Sequence, residues 1–419
     1  MAAVKAIASL AKEDVPDAVL KAYKGSEGYQ FGRNYLIPKP VDPRVLMHVA
    51  PAVAKAAMDS GVARRQIDMD AYYEQIERIL GPSKRVMRVL KKNLSAARNK
   101  TGKLPLIALC NGDDRRILRA AMQVADEAEI KIALIGDQDV ILSQAEKMGI
   151  KGLENRVSIV DPLKSAQSQK YADLLFQIRA RRGVSHSSAS QLVRSSNYFA
   201  AMMVKSGDAD GMVNGLSEPY GEAARPILEI IGPTPGRTLA GIYMIMIRQK
   251  LLFFADCTMN ISPDAEKLAK IAIATAELAV HYTKDPIKIA MLSFSSFGSN
   301  RTASAEKMAK AVEIVRINAP NLIIDGEMQA DVALNLELQT REFDFCKLNG
   351  EANVLIFPDL DAANICYKIL TNLADAIPVG PVLVGLQQPA NVLQRSATTE
   401  EVVSMIYLTA FRTVRDLAL

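Results

Sequence analysis

From Leu104 onward the chain alternates two kinds of segment. Short apolar runs rich in branched residues (LPLIALC, IKIALIG, RVSIVDP, DADGMVNG, KIAMLSF, NLIIDG, ANVLIFPDL and PVLVG) are separated by amphipathic segments of helix length. Such alternation predicts parallel βαβ units with helices on both sheet faces. One stretch breaks the rhythm. In TLAGIYMIMIRQKLLFFAD two apolar runs flank Arg248-Gln249-Lys250, which predicts a hairpin.

Residues 1–80 carry no strand pattern. Gly25, Gly28, Gly32, Pro38, Pro40 and Pro43 punctuate an irregular stretch between short helical pieces. Asp42 before Pro43 predicts a capped helix with proline at its first position, running to about Met58 and ended by Gly61. Asp68 is placed to cap the next helix and Gly81-Pro82 to stop it. The segment reads as the end of something larger. Between Ser83 and Lys103 stand eight basic residues (Lys84, Arg85, Arg88, Lys91, Lys92, Arg98, Lys100, Lys103) and no acidic one. Val86, Val89, Leu90 and Leu94 recur there at helical spacing, so the segment predicts an amphipathic helix with a basic face. That face suits either a phosphate or acidic surface, or plain solvent around a linker.

Composition narrows the function classes. Hydrophobic residues are 49% and charged residues 23% of 419, the balance of a folded globular chain. Aromatics are 5% with no Trp, and the net charge is only +5, which argues against a nucleic-acid-binding surface. The cysteines (Cys110, Cys257, Cys346, Cys366) form no CxxC pair and the histidines (His48, His186, His281) lie near none of them, so neither a metal site nor a disulfide framework is expected. Free thiols fit a cytoplasmic location. The longest apolar stretch, Leu239 to Ile247, stops at Arg248, too short to span a membrane.

No GxGxxG, Walker loop, HExxH or GxSxG occurs, so the chemistry has to be read from arrangement. Asp113-Asp114 and Glu400-Glu401 sit at expected helix starts, where capping accounts for them. Asp210 and Asp256 sit at strand ends, as ligand-facing groups or as turn caps. The methionines Met202, Met203, Met244, Met246 and Met291 read as core.

SSNYFAAMMVKSGDADGMVNGL, ARPILEIIG, LLFFADCTMNISPDAEKLAKIAIATAE, IAMLSFSSFGS, IDGEMQAD and NVLIFPDLDAANICYKIL, in this order, resemble the phosphate acetyl/butyryl transferase family. VPDAVLKAY, FGRNYLIPKPVDPRV and APAVAKAAMDSGVARRQID resemble the C-terminal end of bacterial malic enzymes. Together they look like the C-terminal portion of a hybrid, NADP-dependent malic enzyme. The resemblance implies a two-lobed, three-layer αβα fold of the phosphotransacetylase kind, shared with isocitrate and isopropylmalate dehydrogenases. It divides the chain into a malic enzyme tail (1–80), a basic linker helix (81–103), a first lobe (104–232 with 384–419) and an inserted second lobe (233–383). The malic enzyme's catalytic residues, divalent metal and NADP site are expected upstream of Met1, so this chain is not expected to decarboxylate malate to pyruvate alone.

The same resemblance locates a degenerate transferase centre. Where transferases carry asparagine-aspartate-leucine-serine-arginine and an aspartate seven residues after the serine, this chain has Asn391-Val392-Leu393-Gln394-Arg395 and Glu401. Where they carry a histidine and two hydroxyl residues, it has Glu218, Pro219 and Tyr220, followed by Arg225; where they carry a lysine, it has Phe297 ahead of Gly298 and Ser299. Loss of a hydroxyl and a cation, and a carboxylate moved by about an ångström, imply lost transferase activity. The resemblance implies an acetyl-CoA site using Arg225, Arg395, Tyr220, Gln394 and Ser299, with no catalytic residue. Arg225 and Arg395 are also open to a structural reading as ion-pair partners, Arg395 with Glu400 or Glu401. The implied function is a regulatory, acetyl-CoA-sensing and oligomerising module acting on a malic enzyme domain in cis, with the basic helix relaying the signal. An active phosphate acetyltransferase and a purely structural dimerisation domain are the alternatives. A homodimer or larger homo-oligomer is expected through the second lobe, where TLAGIYMIMI and LAKIAIATAELAV offer apparent surplus apolar surface.

Overall fold

The structure, a computed structural model, describes every residue except 14, 16–18, 20–22, 24–28, 30, 81, 128 and 419, and leaves out the side chains of 74, 77–80, 82–86, 97 and 415–418. Gly25, Gly28, Gly81 and most of VPDAVLKAY therefore lie outside the described residues, as do the side chains of Lys84, Arg85 and Val86. The chain divides into two compact units, Met1–Arg88 with Thr398–Glu400, and Val89–Ala397 with Glu401–Leu419.

The first unit is helical. Helix Ala2–Leu10 packs on helix Arg44–Asp59, followed by Met69–Leu80. The Arg44 helix opens one residue later than expected, because Pro43 takes the cap position while the buried Asp42 carboxylate accepts the Arg44 N–H at 3.0 Å. Gly61 turns the chain at its end with φ +73°, and Asp68 accepts the Asp70 N–H at 2.9 Å. An open groove of about 650 Å³ lies along this unit, lined by Val41, Leu46, Val49, Val53 and Tyr72 among others.

The basic segment forms helix Pro82–Thr101. Within the second unit its Leu90 and Leu94 are fully buried, Lys91 binds Glu127 at 2.6 Å, and the Ser95 hydroxyl bonds Glu129 at 2.5 Å. This part of the helix is a packed element.

The second unit holds two sheets. Strands β1 (Leu106–Leu109), β2 (Lys131–Ile135), β3 (Ser158–Val160) and β4 (Gly211–Asn214) form the first, and β5 (Ala240–Ile247), β6 (Lys250–Ala255), β7 (Lys288–Leu292), β8 (Ile323–Met328), β9 (Val354–Ile356) and β10 (Ile377–Val384) form the second. A short strand, β11 (Ala390–Val392), returns to the first sheet, whose order is β11-β4-β1-β2-β3, all parallel. The second sheet runs β10-β5-β6-β9-β7-β8. Its hairpin β5–β6 pairs Ile247 with Lys250, as the break in alternation predicted. PVLVG departs from the expected parallel pattern. It lies in β10, which meets the reversed hairpin strand β5 and so pairs antiparallel. β11 escaped the sequence reading, since three residues carry no measurable periodicity.

Helices cover these sheets and hide their runs: Ile107, Leu109, Leu134, Val213, Ile245 and Ile289 are all fully buried. The segments expected to offer spare apolar surface do not. From Ala240 to Met246 β5 is buried throughout, and helix Ala265–Ala279 buries Leu268, Ile271, Ala272 and Leu278 within the chain, because both lie in the sheet-helix interior of the second sheet. Among the described residues no helix is long and apolar enough to cross a membrane.

Candidate functional site

The order of the first sheet sets the site. The chain runs outward from β1 to β2 and β3, then crosses back to place β4 on the other side of β1. The crevice at the carboxyl ends of β1 and β4 is therefore a topological switch point, where α/β sheets bind ligands. Cys110 and Asn111 follow β1 there, Gly215 to Tyr220 follow β4, and Leu393 to Arg395 follow β11. Gly215, at φ +109°, lets these segments close up: a Cβ would land on the Leu393 carbonyl oxygen. The Leu393 N–H accordingly reaches the Asn214 carbonyl at 2.7 Å.

A polar chain runs through the floor. The Asn214 amide donates to the Ala223 carbonyl at 2.8 Å and to Asn197 Oδ1 at 3.1 Å, and Asn197 donates to Glu218 at 2.7 Å. Glu218 thus ties the segment after β4 to helix Ser196–Ser206. Burial, with the Glu218 charge beside it, pushes the Cys110 thiol well above the usual range, so it supplies no thiolate.

Above this floor, three tyrosines gather. Tyr220 begins helix Tyr220–Pro226, and its hydroxyl lies 3.2 Å from Thr258 Oγ1. Tyr243, on β5, stacks on Tyr367 with centroids 4.4 Å apart, and the Gln394 side chain lies close to it. Burial raises Tyr220 and Tyr243 far above the ordinary phenol value, with added repulsion from Asp256 on Tyr220 and from Tyr367 on Tyr243. These hydroxyls stay neutral at physiological pH. The structure therefore brings two of the proposed site residues, Tyr220 and Gln394, into one cluster with Tyr243, Tyr367 and Thr258, three residues the sequence reading did not single out.

The remaining candidates sit elsewhere in the unit. Arg225 is exposed on the Tyr220 helix and lies near Tyr198, whose hydroxyl bonds Glu229 at 2.8 Å. Arg395 is exposed and its carbonyl accepts from Arg116 at 2.8 Å. Among the described residues of its unit neither guanidinium has a carboxylate partner. Ser299 belongs to the loop after β7, where its hydroxyl accepts the Ser296 N–H at 3.0 Å and meets Ser295 Oγ at 3.2 Å. Phe297 of that loop packs against Phe343 and Phe345, with centroids at 5.2 and 5.0 Å. Glu401 is half-buried in the first turn of helix Thr399–Ala418.

Two acidic candidates prove to be architectural. Asp210 stands at the amino end of β4, opposite to the ligand-binding edge, where it accepts the Leu106 N–H at 2.9 Å and pairs with Lys103. Asp256 accepts from the N–H groups of Gly241, Thr258, Met259 and Asn260 at 2.8–3.2 Å and from the Asn260 amide, which makes it a turn organiser. Asp114 caps helix Arg115–Asp126 as expected. Among the described residues no three His, Cys, Asp or Glu side chains converge to hold a metal.

Arg225 and Arg395 are exposed cations on the segments that follow β4 and β11, a chemistry that suits anion binding better than proton transfer. Comparison with known proteins agrees with the fold. The phosphate acetyl/butaryl transferase family matches residues 89–410. The chain is 37% identical over 413 residues to an NAD-dependent malic enzyme of Rhizobium meliloti, covering 97% of this chain and 53% of that protein. It thus spans about half the length of the malic enzymes it resembles. It is 35% identical over 318 residues to a phosphate acetyltransferase of Clostridium acetobutylicum, covering 74% of this chain and 95% of the relative. The crystal structure of a phosphotransacetylase from Streptococcus pyogenes superposes with a TM-score of 0.71 at 33% identity, over 78% of this chain and 99% of that one.

Proposed function

We propose a regulatory reading from one premise: this chain belongs to the phosphate acetyl/butaryl transferase family, yet at two of its transferase-like positions Tyr220 and Gln394 sit among neutral side chains. In this reading the domain binds acetyl-CoA without turning it over, assembles subunits, and reports the ligand to a malate-decarboxylating part of a longer protein. The observation that carries it is the place of Gln394 and Tyr220, which lie in one cluster with the buried Tyr243 and its stacking partner Tyr367. The residue standing where relatives carry a serine sits half-buried in a cluster whose Tyr220 and Tyr243 hydroxyls stay protonated at neutral pH. Arg225 and Arg395, exposed and without carboxylate partners, remain for the phosphates of an acyl-CoA. A ligand bound there shifts a distant equilibrium only through differential affinity, typically worth about 1–3 kcal/mol.

A second reading, an active phosphate acetyltransferase, is favoured by the 35% identity to one such enzyme over 95% of its length. One pair of measurements separates the two. Release of CoA-dependent acetyl groups from acetyl phosphate should be negligible, whereas turnover near 10 per second, ordinary for an enzyme, refutes the regulatory reading. Calorimetry should show acetyl-CoA binding that weakens roughly tenfold in Arg395→Ala or Arg225→Ala, the loss of one charge-assisted contact. No binding by the parent chain would leave only a structural dimerisation role.

A further inference from the structure

The second sheet has a switch point of its own. From β7 the chain runs outward to β8, then crosses back to place β9 on the other side of β7. The crevice at the carboxyl ends of β7 and β9 is therefore a second place where an α/β sheet takes ligands. Among the described residues this lobe buries three carboxylates, Asp256, Asp325 and Glu327. Asp256 fills both oxygens with turn N–H groups, and Asp325 fills one with Arg316 and the other with the Lys347 N–H. Glu327, near the carboxyl end of β8, differs. It is 4% exposed, and its Oε1 accepts the Ser295 hydroxyl at 2.9 Å and the Gly298 N–H at 2.7 Å, which fixes the loop after β7. Its Oε2 has no partner among the described residues and is not sealed from solvent, and no cation pairs with the carboxylate. A buried carboxylate ordinarily has a cation or a full set of donors, so the free oxygen points to a donor supplied from outside. The same loop carries Phe297, whose N–H bonds the Glu327 carbonyl at 2.8 Å. The Phe345 ring meets Phe297 and Phe343 edge to face and is 61% exposed.

We propose that this crevice binds the adenine ring of a nucleotide, stacked on Phe345 and backed by Phe297 and Phe343, with its N6 amine donating to Glu327 Oε2. The proposal extends the acyl-CoA reading without depending on it, because adenine is common to acyl-CoA and to free adenine nucleotides. Three features choose this ligand. Exposed phenylalanine rings offer a π-face and no hydrogen bond, so they take a flat aromatic group. The carboxylate beside them only accepts, so that group brings its own donor. One carboxylate oxygen is free, which suits the single amine on the edge of adenine; guanine, with donors on both N1 and N2, calls for two oxygens. The phosphates of such a ligand lie away from the carboxylate, and Arg301, at the end of the same loop, is exposed and has no ion pair among the described residues.

Calorimetry with the full chain tests this. AMP should bind, and purine riboside 5′-monophosphate, which lacks the amine, should bind about tenfold more weakly. Phe345→Ala, a surface change, should weaken both about tenfold, the loss of one stacked contact. Glu327→Gln isolates the polar contact: the Gly298 N–H requires an oxygen at the Oε1 position, so the new NH₂ stands where Oε2 was. This variant, with unchanged circular dichroism, should no longer prefer AMP to its amine-free analogue; if it fails to fold, Phe345→Ala and the analogue carry the test. A parent that does not bind AMP, equal affinity of the parent for the two nucleotides, or an AMP affinity unmoved by Phe345→Ala overturns the assignment. Acetyl-CoA and acetylpantetheine, the same thioester without the nucleotide, identify the source. Acetyl-CoA weakened about tenfold by Phe345→Ala, with acetylpantetheine unmoved, makes the adenine that of the acyl-CoA. AMP weakened with acetyl-CoA unmoved makes it that of a free nucleotide. AMP binding without acetyl-CoA binding keeps this site and removes the acyl-CoA reading, and acetyl-CoA binding without AMP binding does the reverse.

Discussion

Replacing Tyr243 by phenylalanine removes one oxygen from the centre of the candidate site and leaves the ring stacked on Tyr367. The side chain is 3% exposed, so no water compensates for the lost hydroxyl. Its polar interactions with Tyr367 and Gln394 disappear. Each is worth about 1 kcal/mol net, and a partner left unsatisfied in a dry site adds a penalty of about 1–3 kcal/mol. Gln394 is half-buried and recovers part of its loss from solvent, so the expected total is about 2–3 kcal/mol. For a unit of about 330 residues that corresponds to a fall in Tm of roughly 3–4 °C. Gln394→Leu alone should cost about 1–2 kcal/mol. Because removing both partners leaves nothing unpaired between them, the double variant should be less destabilised than the sum by about 1 kcal/mol, measured by urea unfolding as a double-mutant cycle. A coupling below about 0.3 kcal/mol, the level of independent sites, would show that Gln394 is not held by Tyr243. It would also remove the observation on which the regulatory reading rests.

Two other outcomes follow from local geometry. Gly215→Ala should destabilise the chain by roughly 2 kcal/mol or more and lower its Tm, since the new Cβ collides with backbone at a left-handed φ of +109°; an unchanged Tm would contradict the close approach of β4 and β11. Burial and the Glu229 hydrogen bond push Tyr198 from 10.0 up to about 12. The folded state therefore holds this proton more tightly than the unfolded one, and the associated stability is complete below pH 10 and lost as pH rises toward 12. The Tm advantage of the parent over Tyr198→Phe should shrink between pH 10 and 12; a constant gap would refute the shift.

How legible the site was depended on what each residue does. Positions that carry strand or helix periodicity were readable, as were caps such as Asp114 and the β5–β6 turn at Arg248 and Gln249. Tyr220 and Gln394 stood out because they replace groups expected from resembling proteins. Tyr243 and Tyr367 did not, since each sits in a run (IYMIMI and NICYKIL) whose pattern reads as core. A tyrosine buried for packing and one buried to hold a hydrogen bond look alike until its partner is known. Asp210 and Asp256 stayed open between ligand-facing groups and turn caps for a related reason: a strand end is visible in sequence, but which backbone groups it serves depends on the fold.

The sequence by itself determined the βαβ rhythm, the reversed hairpin and the family, because hydrophobic alternation, turn residues and ordered motifs are local properties of the chain. Only the tertiary structure decided that β11 joins β4, that Gln394 meets Tyr243 across some 150 residues, and that the spare apolar surface lies on helix Leu360–Leu373 and not on β5 or helix Ala265–Ala279. Both kinds of apolar run look the same in one dimension. Burial is a property of neighbours, and β5 gains β6 and β10 on either side, while Ile365, Ile369 and Leu373 stay half or more exposed among the described residues.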